Sequence, residues 1–112
     1  MCGFAGKMDL DGLERNSYLD KQFDKAYKRL KSRGPDDKGI WVDNNIYLLH
    51  TRLKILDLSK DSSQPMHKDN YVICFNGEIY NYLEIRNYLS EYSYRITSNK
   101  MISAMRLKHQ YT

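Results

Sequence analysis

Leu19, Phe23, Ala26, Tyr27 and Leu30 recur at three- and four-residue steps, while Lys, Asp and Arg fill the positions between them. That spacing puts the apolar side chains on one stripe of a helix, and the stripe must be buried. Ser17 with Asp20 three positions later makes a loose capping-box signature at the start. Gly34 and Pro35 stop the helix, because glycine suits its end and proline cannot continue it. Whatever the fold, a one-sided helix has to find a partner surface. At 112 residues the chain fits one domain with a single modest core.

The candidates for that surface are extended. Residues 2 to 9 are mostly apolar apart from Lys7 and the closing Asp9, with glycines at 3 and 6 permitting close backbone approach, and read as a first strand. The polar stretch from Asp9 to Asn16, holding Gly12, reads as a turn. Ile40 to Asp43 and Ile46 to His50 read as a hairpin about Asn44-Asn45, a pair that tolerates left-handed backbone. Arg52 to Leu58 alternates weakly and is a further extended candidate. Ser59 to Asn70 is a polar loop around Gln64-Pro65-Met66, and Tyr71 to Phe75 a buried strand. After a turn at Asn76-Gly77, Ile79, Tyr82, Leu83, Ile85, Tyr88 and Leu89 restore a helical period from Glu78 to about Tyr92. No internal repeat appears.

With 29% charged and 41% hydrophobic residues, the profile is that of a soluble globular protein. Lys and Arg outnumber Asp and Glu by 18 to 14, but the densest basic run, Lys25, Lys28, Arg29, Lys31 and Arg33, makes a solvated helix face. A basic nucleic-acid-binding module would rest on net charge alone. The ten tyrosines point to compositional bias in the source genome. No apolar stretch approaches the roughly 20 residues that span a bilayer, and no signal sequence is seen. A cytoplasmic protein is expected, with neither membrane nor nucleic acid as partner. Cys2 and Cys74 are then free thiols, and their spacing matches no zinc pattern.

Cys2 follows the initiator Met1. Removal of that methionine leaves a thiol and a free α-amine on one residue. A sulfur nucleophile needs a base within reach, and an α-amine with an ordinary pKa of about 7.7 to 8.0 can serve. The plain alternative is a small residue starting a strand. His50, His67 and His109 invite a Cys-His pairing with Cys74, but nothing in the sequence places a histidine beside it, and a buried strand thiol is usually inert.

Behind Met1-Cys2-Gly3 come Arg33-Gly34-Pro35-Asp36, then His50-Thr51-Arg52-Leu53-Lys54-Ile55-Leu56-Asp57, then Asn76-Gly77-Glu78-Ile79-Tyr80-Asn81. In this order the four motifs resemble the N-terminal glutaminase domain of class II glutamine amidotransferases, most of all the asparagine synthetase type, within the N-terminal-nucleophile hydrolases. The resemblance covers residues 1 to about 99. It implies an α+β fold, here a partial four-layer αββα sandwich. It also implies a glutaminase domain, incomplete over residues 1–112, with a divergent tail over 100–112, so that a truncated or frameshifted product is expected.

The resemblance assigns roles by position. Cys2 attacks the glutamine amide as thiolate, the reactive form of the group. Asn76 and the Gly77 backbone N–H form the oxyanion hole, where losing one donor typically costs about 2.7 to 4 kcal/mol. Glycine at 77 leaves the substrate's approach open and allows positive φ. Arg52 binds the α-carboxylate, which a guanidinium meets with two parallel hydrogen bonds, and Glu78 accepts from the ammonium. Arg33 to Asp36 shape the site and hold the N-terminal strand. Without the resemblance, Asn76-Gly77 is a plain turn, Arg52 a solvated edge residue and Glu78 a first-turn acid favoured by the helix dipole.

Where the family shows an aspartate that helps bind the α-amino group, this chain has Asn99, followed by Lys100. An amide oxygen still accepts there but carries no charge, and charge-assisted bonds are about twice as strong. Glutamine is the implied substrate. The glutaminase half calls for no metal or cofactor, whereas ATP and magnesium belong to the synthetase domain that uses the ammonia, on this chain's continuation or a separate chain. The implied acceptor is aspartate, giving asparagine. The alternatives are an inactive remnant, or the glutaminase part of a sugar or surface-polysaccharide amidotransferase.

Overall fold

The computed structural model describes residues 2–54, 60–77 and 79–91. The elements are strand β1 (Gly3–Met8), helix α1 (Ser17–Leu30), strands β2 (Asp37–Val42) and β3 (Ile46–Arg52), a 3₁₀ turn (Lys60–Ser62), strands β4 (Met66–Lys68) and β5 (Tyr71–Ile73), and helix α2 (Tyr82–Glu91). β3 is the centre of an antiparallel sheet of order β1-β3-β2, and β4 pairs with β5 antiparallel. The chain is thus mixed α and β with small antiparallel sheets and two helices, as expected of an α+β protein.

Side chains alternate across a strand, so the register sorts the three-stranded sheet into two faces. Ala5 lies opposite Leu49, and Val42 opposite Tyr47. These four meet the stripe of α1, where Leu19 and Phe23 are buried with Tyr47 and Leu49 and are flanked by Leu13, Ala26, Tyr27 and Leu30. The Phe23 and Tyr47 rings stack with centroids 3.6 Å apart. Burial of this stripe is what holds helix to sheet. The opposite face carries Phe4, His50 and Gly39 in one row.

Several local expectations are corrected. The cap of α1 is Asn16, not Ser17: its side chain accepts from the Leu19 N–H at 3.0 Å. The β2–β3 hairpin reaches further from its turn than the apolar runs suggested, starting at Asp37 and ending at Arg52, while β2 stops at Val42 before the turn. Its turn uses no left-handed residue, since Asp43 Oδ1 accepts from the Asn45 and Ile46 amides at 2.8 and 2.7 Å and shapes the bend instead. The polar loop from Ser59 to Asn70 contains the 3₁₀ turn and β4, and left-handed Asp69 (φ 52°) turns β4 into β5. β5 ends at Ile73, two residues early, with Tyr71 exposed. α2 starts at Tyr82 and buries Leu89 while Leu83 and Tyr88 face solvent. Of the extended candidate from Arg52 to Leu58, Arg52 closes β3, and residues 55–58 lie outside the described residues.

Candidate active site

Asp37 pairs with Arg52, and Gly3 pairs with Thr51. Arg52 lies on the face that also carries His50, and Cys2, immediately before β1, lies at the same end of the sheet. The Leu53 N–H donates to Cys2 Sγ at 3.4 Å, and the thiol lies 3.9 Å from the Leu53 carbonyl oxygen. Arg52 is only 5% exposed, which rules out the solvated-edge reading. Asp37 accepts from Ser63 Oγ at 2.6 Å and from the Lys38 N–H at 2.9 Å. The Ser63 bond above all holds its carboxyl below the usual range, against the opposing effect of burial, with smaller help from Lys38, Lys54 and Arg52.

Arg33 to Asp36 shape this end of the sheet through the backbone. Gly34 is buried, and a side-chain carbon there would run into the Thr51 carbonyl and the Arg52 nitrogen. The Asp36 N–H donates to the Arg52 carbonyl at 3.0 Å, and Asp36 Oδ2 accepts from the Lys54 N–H at 2.8 Å. The motif therefore grips the exit of β3 more directly than the N-terminal strand it was expected to hold. The link to that strand is Thr51, fully buried, whose hydroxyl lies 3.3 Å from the Gly3 carbonyl and 3.2 Å from that of Leu30. Sequence reasoning missed Thr51. Its only signal is a β-branched polar residue between His50 and Arg52 in a buried strand.

Asn76 and Gly77 are exposed and lie between β5 and α2. Gly77 does not have positive φ, contrary to expectation. An added side-chain carbon there would lie 2.8 Å from Cζ of Phe75, so a larger residue at 77 would have to push that ring aside. Phe75 is tied toward the sheet by its backbone: its N–H donates to Gln64 Oε1 at 2.6 Å, and His50 hydrogen-bonds to the same residue's backbone. His50 is two residues from Arg52 on the same face, roughly 7 Å along the strand. The segment carrying Asn76 and Gly77 is thus anchored on the face of His50 and Arg52. Glu78, Asn99 and Lys100 lie outside the described residues.

Burial sets the remaining titrating groups. His50 is pushed down to about 4 by loss of hydration, with the Phe75 bond opposing and the Arg52 charge assisting. The Cys74 thiol, half-buried one residue past β5 and not in a strand as expected, is pushed up to about 11 by burial, so it stays protonated near neutral pH. Among the described residues no three His, Cys, Asp or Glu side chains converge as a metal set, and no helix is long and apolar enough to cross a membrane.

Comparison with known proteins agrees with this arrangement of motifs. The model of a glutamine amidotransferase domain family matches residues 1–102. Asparagine synthetase (glutamine-hydrolysing) 1 of Saccharomyces cerevisiae is 32% identical over 97% of this chain and 19% of its own length. Asparagine synthetases (glutamine-hydrolysing) 1 and 3 of Bacillus subtilis are 32% and 34% identical, over 88% and 80% of this chain and 16% and 15% of their own lengths. The chain belongs to the glutamine amidotransferase domain family. It spans at most about a fifth of the length of the curated relatives it matches.

Proposed function

We propose that this chain hydrolyses the side-chain amide of glutamine with Cys2 as an N-terminal nucleophile, and that the ammonia serves asparagine synthesis from aspartate. The observation that carries the reading is that Cys2, in contact with the Leu53 backbone, and buried Arg52 lie at the same end of the β1–β3 ladder. A single glutamine can reach both, its α-carboxylate on the guanidinium and its carboxamide toward the sulfur.

In this mechanism Met1 is removed and the freed amine of Cys2 takes the thiol proton. Sulfur attacks the amide carbon, and the carbonyl oxygen becomes an oxyanion held by the Asn76 amide and the Gly77 N–H. The carbon–nitrogen bond breaks as the ammonium returns its proton to the leaving nitrogen, releasing ammonia and leaving a glutamyl thioester. Water, deprotonated by the same amine, attacks the thioester to give glutamate and the thiol. Glu78 and Asn99 receive the α-ammonium. ATP and magnesium act in the synthetase part, for which the full length of the named relatives speaks. In the same reading the β1-β3-β2 sheet is one layer of the αββα sandwich, with α1 on one face and the β4–β5 pair toward the other, and a cytoplasmic setting fits the two free thiols.

The test uses protein whose mass establishes removal of Met1. Glutamate and ammonia should be released in equal amounts from glutamine, and Cys2→Ala should bring both to background. Release undiminished in Cys2→Ala, or absent from the processed parent, overturns the reading; the latter result is that of an inactive remnant.

A further inference from the structure

Gln64 lies in a segment that the sequence offers only as a polar loop, yet it is 9% exposed and its side-chain Oε1 accepts from the Phe75 N–H at 2.6 Å. Its own backbone is seated on the sheet. A side-chain carbon on Gly39 would overlap the Gln64 carbonyl and lie 3.0 Å from Pro65 Cδ, so only glycine in β2 allows this approach. Gly39 stands opposite His50 in the ladder, and His50, 1% exposed, also hydrogen-bonds to the Phe75 backbone. The Phe75 backbone is thereby held by two buried side chains, Gln64 from the loop before β4 and His50 from β3. Beyond Phe75 the chain has only Asn76 before Gly77, and Gly77 rests on the Phe75 ring.

From this chain of contacts we infer that Gln64 is a positioning residue, which fixes the Asn76 and Gly77 oxyanion donors relative to Cys2 by clamping Phe75 to the face of the sheet. The inference rests on the glutaminase reading above. Gln64 touches no substrate in this scheme and acts only through Phe75. Loss of its acceptor therefore displaces donors that matter in the transition state and leaves the Arg52 end of the glutamine site in place. A donor displaced by about an ångström costs on the order of tenfold to a hundredfold in turnover.

The experiment compares the full chain, Met1 removed, with Gln64→Met, which keeps volume and lacks the acceptor, and Gln64→Glu, which keeps an oxygen for the Phe75 N–H. Gln64→Met should lower kcat for glutamine about tenfold to a hundredfold with KM changed less than about twofold. Gln64→Glu should restore kcat to within about threefold of the parent. Hydrogen exchange at the Phe75 amide should quicken in Gln64→Met while the Leu49 amide stays protected. If Gln64→Met loses its folded circular dichroism spectrum, Gln64→Asn, one carbon short of Phe75, is held to the same numbers. An active parent with kcat unchanged in the variant lacking the acceptor overturns the inference alone. So does a loss that Gln64→Glu fails to restore, which marks a merely structural role. A parent without glutaminase activity overturns the reading on which the inference stands, and unchanged Phe75 exchange in Gln64→Met then disposes of the clamp as well.

Discussion

His50 shows how one residue couples the sheet to solution conditions. Its Nε2 is buried with no hydrogen-bond partner among the described residues, and burial lowers its pKa from 6.5 to about 4. Between those values the unfolded chain binds a proton that the folded one refuses, so stability falls as pH drops from about 6.5 toward 4. The shift corresponds to at most about 3 kcal/mol. Asp37 does not blur this window: its lowered carboxyl contributes stability above its ordinary 3.8, which is lost only as pH falls below that value. Urea unfolding at pH 7 and pH 4.5 should show a larger loss for the parent than for His50→Gln. An equal loss would place the titration elsewhere. The burial of His50 is not visible in the motif that contains it, where it merely precedes Thr51 and Arg52.

Among the elements, α1 was the most legible because its apolar period is independent of context, yet its cap was read one residue late. Asn16 and Ser17 are both good caps, and only backbone geometry selects Asn16, which is extended at φ −136° and ψ 171°. Asn16→Ala should therefore cost about 1 kcal/mol in denaturant unfolding, and Ser17→Ala clearly less; the reverse order would restore the capping-box assignment. The hairpin was found but its ends were not, because Asp37 and Lys38 join β2 by pairing with Arg52 and Thr51 rather than by any apolar pattern of their own. β4 escaped for the same reason. Met66–Lys68 is three residues long and becomes a strand only through its register with Tyr71–Ile73.

At the scale of the molecule, two hydrophobic clusters differ in substance. One joins α1 to the three-stranded sheet through four buried residues, while the other is buried Met66 with Ile73 and Phe75 partly covered. A two-stranded pair with so little core is marginal by itself, and local opening follows local contact density. Native-state hydrogen exchange should find the β4–β5 amides opening at lower free energy than those of Tyr47 and Leu49. Exchange of both sets together would make the molecule one cooperative unit. If the β4–β5 pair opens first, Gln64 and Phe75, which flank it, are the ties that keep it on the sheet.

The order of the motifs was enough to reach the glutamine amidotransferase family, since Cys2, Arg52 and Asn76-Gly77 are chemical signals carried by residue type and sequence position. Helical period and turn residues likewise announce themselves locally, because propensity and patterning act over a few neighbours. What the linear chain leaves open is register and approach. That Cys2 and Arg52 share one end of the sheet follows from the antiparallel pairing of Gly3 with Thr51, a relation fixed by which faces are buried together. That Gln64 and His50 hold Phe75 depends on two segments meeting over Gly39, where absence of a side chain sets the distance. Such contacts are decided by tertiary packing, since neither partner bears a pattern that names the other.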